Sequence, residues 1–273
     1  MKLLRLCCFV LPLLALNAHA SILNTANAFG VLGAQTVTNT GPSKINGDLG
    51  LWPGTSITGF PPGTVTGVIH TTDAVAMQAQ LDALNGYTTL AGMARTATLT
   101  NQDLGGMTLD PGVYFFASSA QMTGQLTLDF QGLNNALIVF QIYSTLTTAS
   151  ASKVLVINPG LNDQVFWQVG SSATLGTTTA FYGSIIADAS VTLNTGATID
   201  CGRAIALTAA VTMDTNRVDT GNCSSLFKTT PEPATISLVS TGAIAAGATA
   251  WNSVFAELGL AGAFAAIRRK LRR

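Results

Sequence analysis

A short pattern returns at near-constant spacing between residues 164 and 216, and it limits what the chain can become. Thr174-Leu175-Gly176-Thr177, Thr192-Leu193-Asn194-Thr195 and Thr212-Met213-Asp214-Thr215 share the form T-[LM]-x-T, 18 and 20 residues apart. Gly183-Ser184-Ile185-Ile186-Ala187 and Gly202-Arg203-Ala204-Ile205-Ala206 make a second column, 19 apart. Thr177-Thr178-Thr179-Ala180-Phe181 against Thr195-Gly196-Ala197-Thr198-Ile199 is a third, 18 apart, and Cys201 reads as one residue inserted before Gly202. A unit this short cannot bury its own apolar face, so neighbouring units must stack and share one core. Three short β-type segments per repeat predict one triangular coil of a β-solenoid.

Alternation supports the strands. In Val191-Thr192-Leu193 the two apolar residues point one way and the threonine the other. Ala197 and Ile199 are expected inside, with Gly196 and Thr198 outside. Ile185-Ile186 and Ala204-Ile205 are apolar on both sides, so that face needs a cover. The one long helical stretch, Thr72 to about Met93, is the candidate. Thr71 or Thr72 would cap it, with Asp73 in the first turn. Met77, Leu81, Leu84 and Ala91, with Tyr87 and Leu90 close by, form the stripe expected to pack on the solenoid, and Gly86 weakens the helix midway. Elsewhere Pro53-Gly54, Pro61-Pro62-Gly63, Asp110-Pro111-Gly112 and Asn158-Pro159-Gly160 mark turns between strands such as Val113–Phe116, Leu126–Phe130, Ala136–Ile142 and Val154–Ile157.

Both ends look like processing segments. Met1 to Arg5, an apolar run to Leu16 and Ala18-His19-Ala20 predict a secretion signal over 1–20, with Ser21 as the mature N-terminus. At the other end Pro231-Glu232-Pro233, an apolar stretch 234–267 and the basic cluster Arg268, Arg269, Lys270, Arg272, Arg273 resemble the PEP-CTERM sorting signal. The resemblance implies membrane or cell-envelope attachment through residues 229–273. The stretch departs from the pattern in its length, longer than one span of about 20 residues, and in carrying Asn252 and Glu257. An amphipathic or unstructured tail is the alternative. The body, 21–228, is one domain.

Charged residues are 10% of the chain, against about 25% in an ordinary domain, and Lys+Arg and Asp+Glu are 13 each. With five basic residues in the terminal cluster, the body is mildly acidic and offers nucleic acid no basic surface. Cys201 and Cys223 lie 22 residues apart, close to the repeat, which allows a disulfide between adjacent coils in an exported protein; two unpaired buried cysteines are the alternative. Two cysteines and His70 do not make a zinc site, and no cofactor motif is present. Asp129, Asp163, Asp188, Asp200, Asp214 and Asp219 are scattered, without the clustered carboxylates of a solenoid lyase or hydrolase. Arg203 is expected to pair with Asp200 or Asp219. No enzyme is expected, and a monomer is.

A family resemblance covers nearly all of 22–220. Ala34–Gly41, Asn46-Gly47-Asp48-Leu49-Gly50 and Thr58-Gly59-Phe60-Pro61-Pro62-Gly63-Thr64-Val65 resemble the opening of the microbial ice-binding (antifreeze) protein family. Leu99–Gly106, Leu109–Tyr114, Val139–Ile142, Ser144–Ala149 and Phe166–Thr177 match its later coils in the same order. The resemblance implies a right-handed, discontinuous β-solenoid of triangular section with a long helix alongside. It also implies adsorption to ice crystals by a secreted or surface-attached protein. The family's motif of threonine, small residue, any residue, threonine or asparagine is matched by Thr195-Gly196-Ala197-Thr198.

The candidate ice-contact residues are therefore Thr178, Ala180, Gly196 and Thr198, with Thr177 and Thr195 at the edge and Thr215-Asn216 extending the column. The rival face is Thr174, Thr192 and Thr212. Thr36, Thr38, Thr64 and Thr66 join one or the other, and the sequence does not choose between them. The competing function is a cell-surface adhesin for polysaccharide or cells. Exposed aromatics on the flat face would favour it, with Tyr182 the residue that tests the point.

Overall fold

The computed structural model describes residues 21–221. The expected signal peptide, Cys223 and the tail lie outside these residues. Among them, 24 strands form three parallel sheets of nine, seven and eight strands, with one α-helix, Ala74–Ala91, and one 3-10 turn, Asn24–Ala28. Each coil visits the three sheets in turn. Ser184–Ala187, Val191–Leu193 and Thr198–Asp200 make one coil, and Ala204–Ala206, Val211–Asp214 and Arg217–Asp219 stack on it in register.

The stack does not follow chain order. Phe29–Gly33, first in sequence, pairs with Ala204–Ala206 on one side and Asp48–Leu51 on the other. The opening coils thus sit on the last coil. The nine-stranded sheet runs from Ile69–Thr71 at one edge to Ala97–Thr98 at the other. The helix joins these two edges, which is why the chain needs a long rigid connector at this point. Expectations for the solenoid, its discontinuity and the covering helix agree with this architecture.

The core is a file of inward side chains. Tyr114, Phe140 and Trp167 occupy successive rungs, with ring centroids 5.7 and 3.8 Å apart, and Phe181, from the eight-stranded sheet, packs against Trp167 at 4.8 Å. Parallel in-register stacking puts like beside like at about 4.8 Å, close to ring-stacking distance, so aromatic rungs reinforce one another. The Trp167 indole N–H is satisfied by the Tyr182 carbonyl at 3.0 Å.

The helix packs differently from the expectation. Its buried residues are Ala76, Ala79, Gln80, Asp82, Ala83, Gly86 and Leu90, while Met77, Leu81 and Leu84 are 38, 45 and 48% exposed. The sheet already supplies the bulk in Leu32, Val139, Phe166, Ile186 and Ile205, so the helix contributes small residues and approaches closely. Polar tethers on the same side set its roll: Gln80 Nε2 donates to the Gly33 and Ala206 carbonyls at 2.8 and 3.2 Å. Asp82 accepts from the hydroxyl and the amide of Thr25 at 2.5 and 3.0 Å. Gly86 is there for contact: a Cβ would stand 2.7 Å from the Ile22 carbonyl oxygen. The cap is Asp73, which accepts from the Ala76 amide at 2.8 Å, and not Thr71 or Thr72; Thr72 has φ +56° and turns the chain into the helix.

A further expectation is corrected. Arg203 pairs with no aspartate. It donates to the Asn27 carbonyl at 2.6 and 3.0 Å and to the Ser184 hydroxyl at 3.3 Å, tying the N-terminal turn to the coil. Burial pushes its pKa down to about 10. Arg217 is the residue that pairs with Asp200 and, at 3.5 Å, with Asp219. Tyr182 is buried and so offers nothing to a sugar, and burial pushes its phenol up to about 12. Cys201 is disulfide-bonded.

Candidate functional site

The seven-stranded sheet presents one outward position per rung, and that position is nearly constant. In stacking order it is Gln121, Thr147, Thr174, Thr192, Thr212, Thr38 and Thr58, each in register with the next. None of these side chains is buried. Most of their inward neighbours on the same strands are apolar and buried, such as Val191 and Leu193, or Val211 and Met213, while Thr148 and Asn39 are buried polar ones. Two residues earlier runs a second column: Ser119, Thr145, Ser172, Ser190, Ala210, Thr36 and Ser56. Every position of both columns except Gln121 and Ala210 bears a hydroxyl, and none carries a charge.

The hydroxyls are held along the stack. Thr145 Oγ1 donates to Ser119 Oγ at 2.8 Å, Ser190 Oγ to Ser172 Oγ at 2.9 Å, and Thr38 Oγ1 reaches Thr212 Oγ1 at 3.5 Å. Seven rungs at about 4.8 Å give a ladder roughly 29 Å long, with its two columns about 6.7 Å apart.

Thr178, Gly196 and Thr215 lie elsewhere, at the corner between the seven- and eight-stranded sheets. Each has left-handed backbone, at φ +55°, +73° and +54°. The corner is itself a ladder: the amides of Thr178, Gly196 and Thr215 donate to the carbonyls of Thr195, Asp214 and Thr40 in the adjoining coils at 3.0, 3.0 and 2.9 Å. Thr177 and Thr195 are exposed beside it. Asn216 is corrected outright. It is buried, and its amide donates to the Asn194 and Ala197 carbonyls at 2.8 and 3.0 Å.

Ala180 and Thr198 do share an outward column, on the eight-stranded sheet. That column reads Thr64, Lys44, Arg217, Thr198, Ala180, Lys153, Gln125, and Asp200 and Asp219 stand beside it. It is a charged, ion-paired surface interrupted by two small residues. Of the undecided threonines, Thr36 and Thr38 fall on the seven-stranded sheet and Thr64 on the eight-stranded one, while Thr66 donates to Asn46 Oδ1 at 2.9 Å.

Acids border the threonine ladder: Asp103 stands in register with Gln121 at its end, and Asp214 lies at its corner. Asp214 accepts from Thr195 Oγ1 at 2.5 Å and from Thr215 Oγ1 at 3.0 Å, and these hydroxyls, Thr195 first, hold its carboxyl below the usual value. Among the described residues no three His, Cys, Asp or Glu side chains come together as a metal site.

The model of a family described as ice-binding-like matches residues 31–219, most of the chain and all three sheets. The chain belongs to the ice-binding-like family. A protein of Nostoc sp. (strain HG1) called an ice-binding protein is 59% identical over 201 residues, 74% of each chain. An ice-binding protein of Colwellia sp. is 30% identical over 224 residues, 76% of this chain and 86% of its own. The crystal structure of an ice-binding protein from the Antarctic ascomycete Antarctomyces psychrotrophicus superposes with a TM-score of 0.70 at 41% identity, covering 73% of this chain and 98% of that one.

Sequence reading of this ice-binding-like chain missed part of the ladder. Thr147 and Gln121 belong to coils with longer loops, so the 18–20-residue period does not reach them. Thr58 stands on an opening coil and enters the column only because the opening coils stack on the last one. The available signal was weaker, a polar residue directly after an apolar one, as in Ala120-Gln121, Leu146-Thr147 and Ile57-Thr58.

Proposed function

We propose that the protein adsorbs to ice through the seven-stranded face, with Thr147, Thr174, Thr192, Thr212, Thr38 and Thr58 as the contact column and the flanking serine and threonine column as its second row. The observation that carries this reading is the register of seven rungs bearing uncharged, outward side chains. Hydroxyls at a lattice-like spacing hold surface waters, and the methyls between them order water without competing for it. Charged groups impose hydration shells of their own, which argues against the Lys44–Arg217–Lys153 face that includes Thr198. Thr177, Thr195 and Thr215 form the rim of the contact area. Many weak contacts on a rigid surface sum to lasting attachment, and ice growing between attached molecules must curve, which slows it. The family membership and the named relatives support the same reading, as do the expected signal peptide and sorting tail for a secreted or surface-attached protein acting alone and without a cofactor.

The test is a pair of variants in an ice-recrystallisation assay. Thr192→Tyr, at the centre of the ladder, should remove most of the inhibition at unchanged thermal stability. Thr198→Tyr, on the charged face, should leave it intact. The opposite pattern would move the contact surface to the eight-stranded sheet.

A further inference from the structure

The helix is shorter than the sheet it covers. Nine strands at about 4.8 Å span roughly 38 Å, whereas its 18 residues rise roughly 27 Å. The outward column of the nine-stranded sheet changes character where the helix stops. Under the helix it is Leu32, Ile205 and Ile186, and beyond, in register, come Gln168, Gln141 and Phe115. Gln141 is buried and closes the helix end, its Nε2 donating to the carbonyls of Leu90, Ala91 and Met93 at 2.8, 3.3 and 2.9 Å.

Past this cap lies a cavity of about 460 Å³, lined by Tyr87, Arg95, Phe115, Gln141, Tyr143 and Gln168 among others. Its size is that of a small-ligand site, which runs about 300–1,000 Å³. Tyr143 stands at its rim 75% exposed. The Arg95 guanidinium lies over the Phe115 ring, 3.3 Å from the centroid, and no carboxylate among the described residues pairs with it. It is the one charged side chain in the lining; Asp188, whose charge reaches the Tyr87 phenol, lies outside it. Tyr87, from the helix, and Gln168, from the sheet, face each other across the inner wall.

We propose that this cavity is a second binding site, for an acidic polysaccharide built of uronic-acid pyranoses. Each part of the lining meets a part of that ligand. The flat, exposed ring of Tyr143 suits the C–H face of a pyranose. Gln168 and Tyr87 offer hydrogen bonds to ring hydroxyls. With its face occupied by Phe115, the Arg95 fork keeps its in-plane N–H groups for a carboxylate, the two-pronged pairing that arginine makes best. The cavity opens on the nine-stranded sheet and the threonine ladder on the seven-stranded one, with Tyr143 at the corner between them. This site does not depend on the ice reading.

The experiment is calorimetric titration of the protein with hexagalacturonate, using cellohexaose as the uncharged chain. Hexagalacturonate should bind, and more tightly than cellohexaose. Arg95→Ala and Tyr143→Ala, both at exposed side chains, should each weaken it about tenfold or more, Tyr143→Phe should retain it, and Thr192→Tyr should leave it unchanged while removing ice activity. The assignment is overturned if millimolar hexagalacturonate gives no binding, if neither alanine variant weakens it, or if cellohexaose binds equally well and Arg95→Ala makes no difference.

Discussion

At the scale of single residues, the same amino acid does different work according to which corner or rung receives it. Thr192 and Thr198 are six positions apart and both alternate correctly with apolar neighbours, yet one stands among hydroxyls and the other between Ala180 and Arg217. Asp82 shows how a polar side chain inside the helix contact is made tolerable. The Thr25 hydroxyl, then the Thr25 amide and Gln78, hold its carboxyl below the ordinary 3.8 against the opposing cost of burial. A carboxyl depressed in the folded state binds fewer protons there than in the unfolded chain, so its contribution is complete above about pH 4 and disappears as acid titrates the folded form. Thermal melts should therefore show that Asp82→Ala lowers the melting temperature at pH 7 and narrows its fall between pH 5 and pH 3. A parallel fall in parent and variant would remove Asp82 from the acid response.

At the scale of elements, the helix is the instructive case. Met77, Leu81 and Leu84 face water, while Ala76, Ala79, Ala83 and Gly86 face the sheet together with Leu90. Apolar spacing alone located the helix, but its roll was set by what the sheet left room for. Leu90→Ala should cost about 2–5 kcal/mol by opening a cavity against Phe166 and Val139. Leu81→Glu should stay within about 0.5 kcal/mol, because that side chain is 45% exposed. Chemical denaturation of the two variants checks both, and a large loss in Leu81→Glu would mean that this ridge is covered in solution. The strands read more reliably from sequence than the helix did: a period of two leaves one residue in and the next out, whichever sheet the strand joins.

At the scale of the whole molecule, parallel in-register stacking turns a local preference into a surface. One outward threonine is ordinary β-propensity; seven rungs in register form a rigid ladder whose spacing no side chain chooses for itself. The ladder contains no titratable group, and hydrogen bonds hold the carboxyls of the bordering Asp103 and Asp214 below the ordinary value. Ice-recrystallisation inhibition should accordingly be level from about pH 5 to about pH 8. A steep change within that range would mean that a titratable group outside the ladder takes part in the contact.

The repeat, the alternation and the scarcity of charge determined that the chain would stack short strands into coils with hydroxyls outward, since these follow from periods of 18–20 and of two along the sequence. The apolar faces of Ile185-Ile186 and Ala204-Ile205 likewise announced a cover. Which threonines share a face was decided by tertiary structure alone. Thr38 meets Thr212 across 174 positions only because the opening coils sit on the last. Thr195-Gly196 turns a corner that reads in sequence like the start of a strand. Contacts made at that separation leave no period behind them, so Arg203 bound to Asn27 and the cavity beyond the helix end had no signature along the chain.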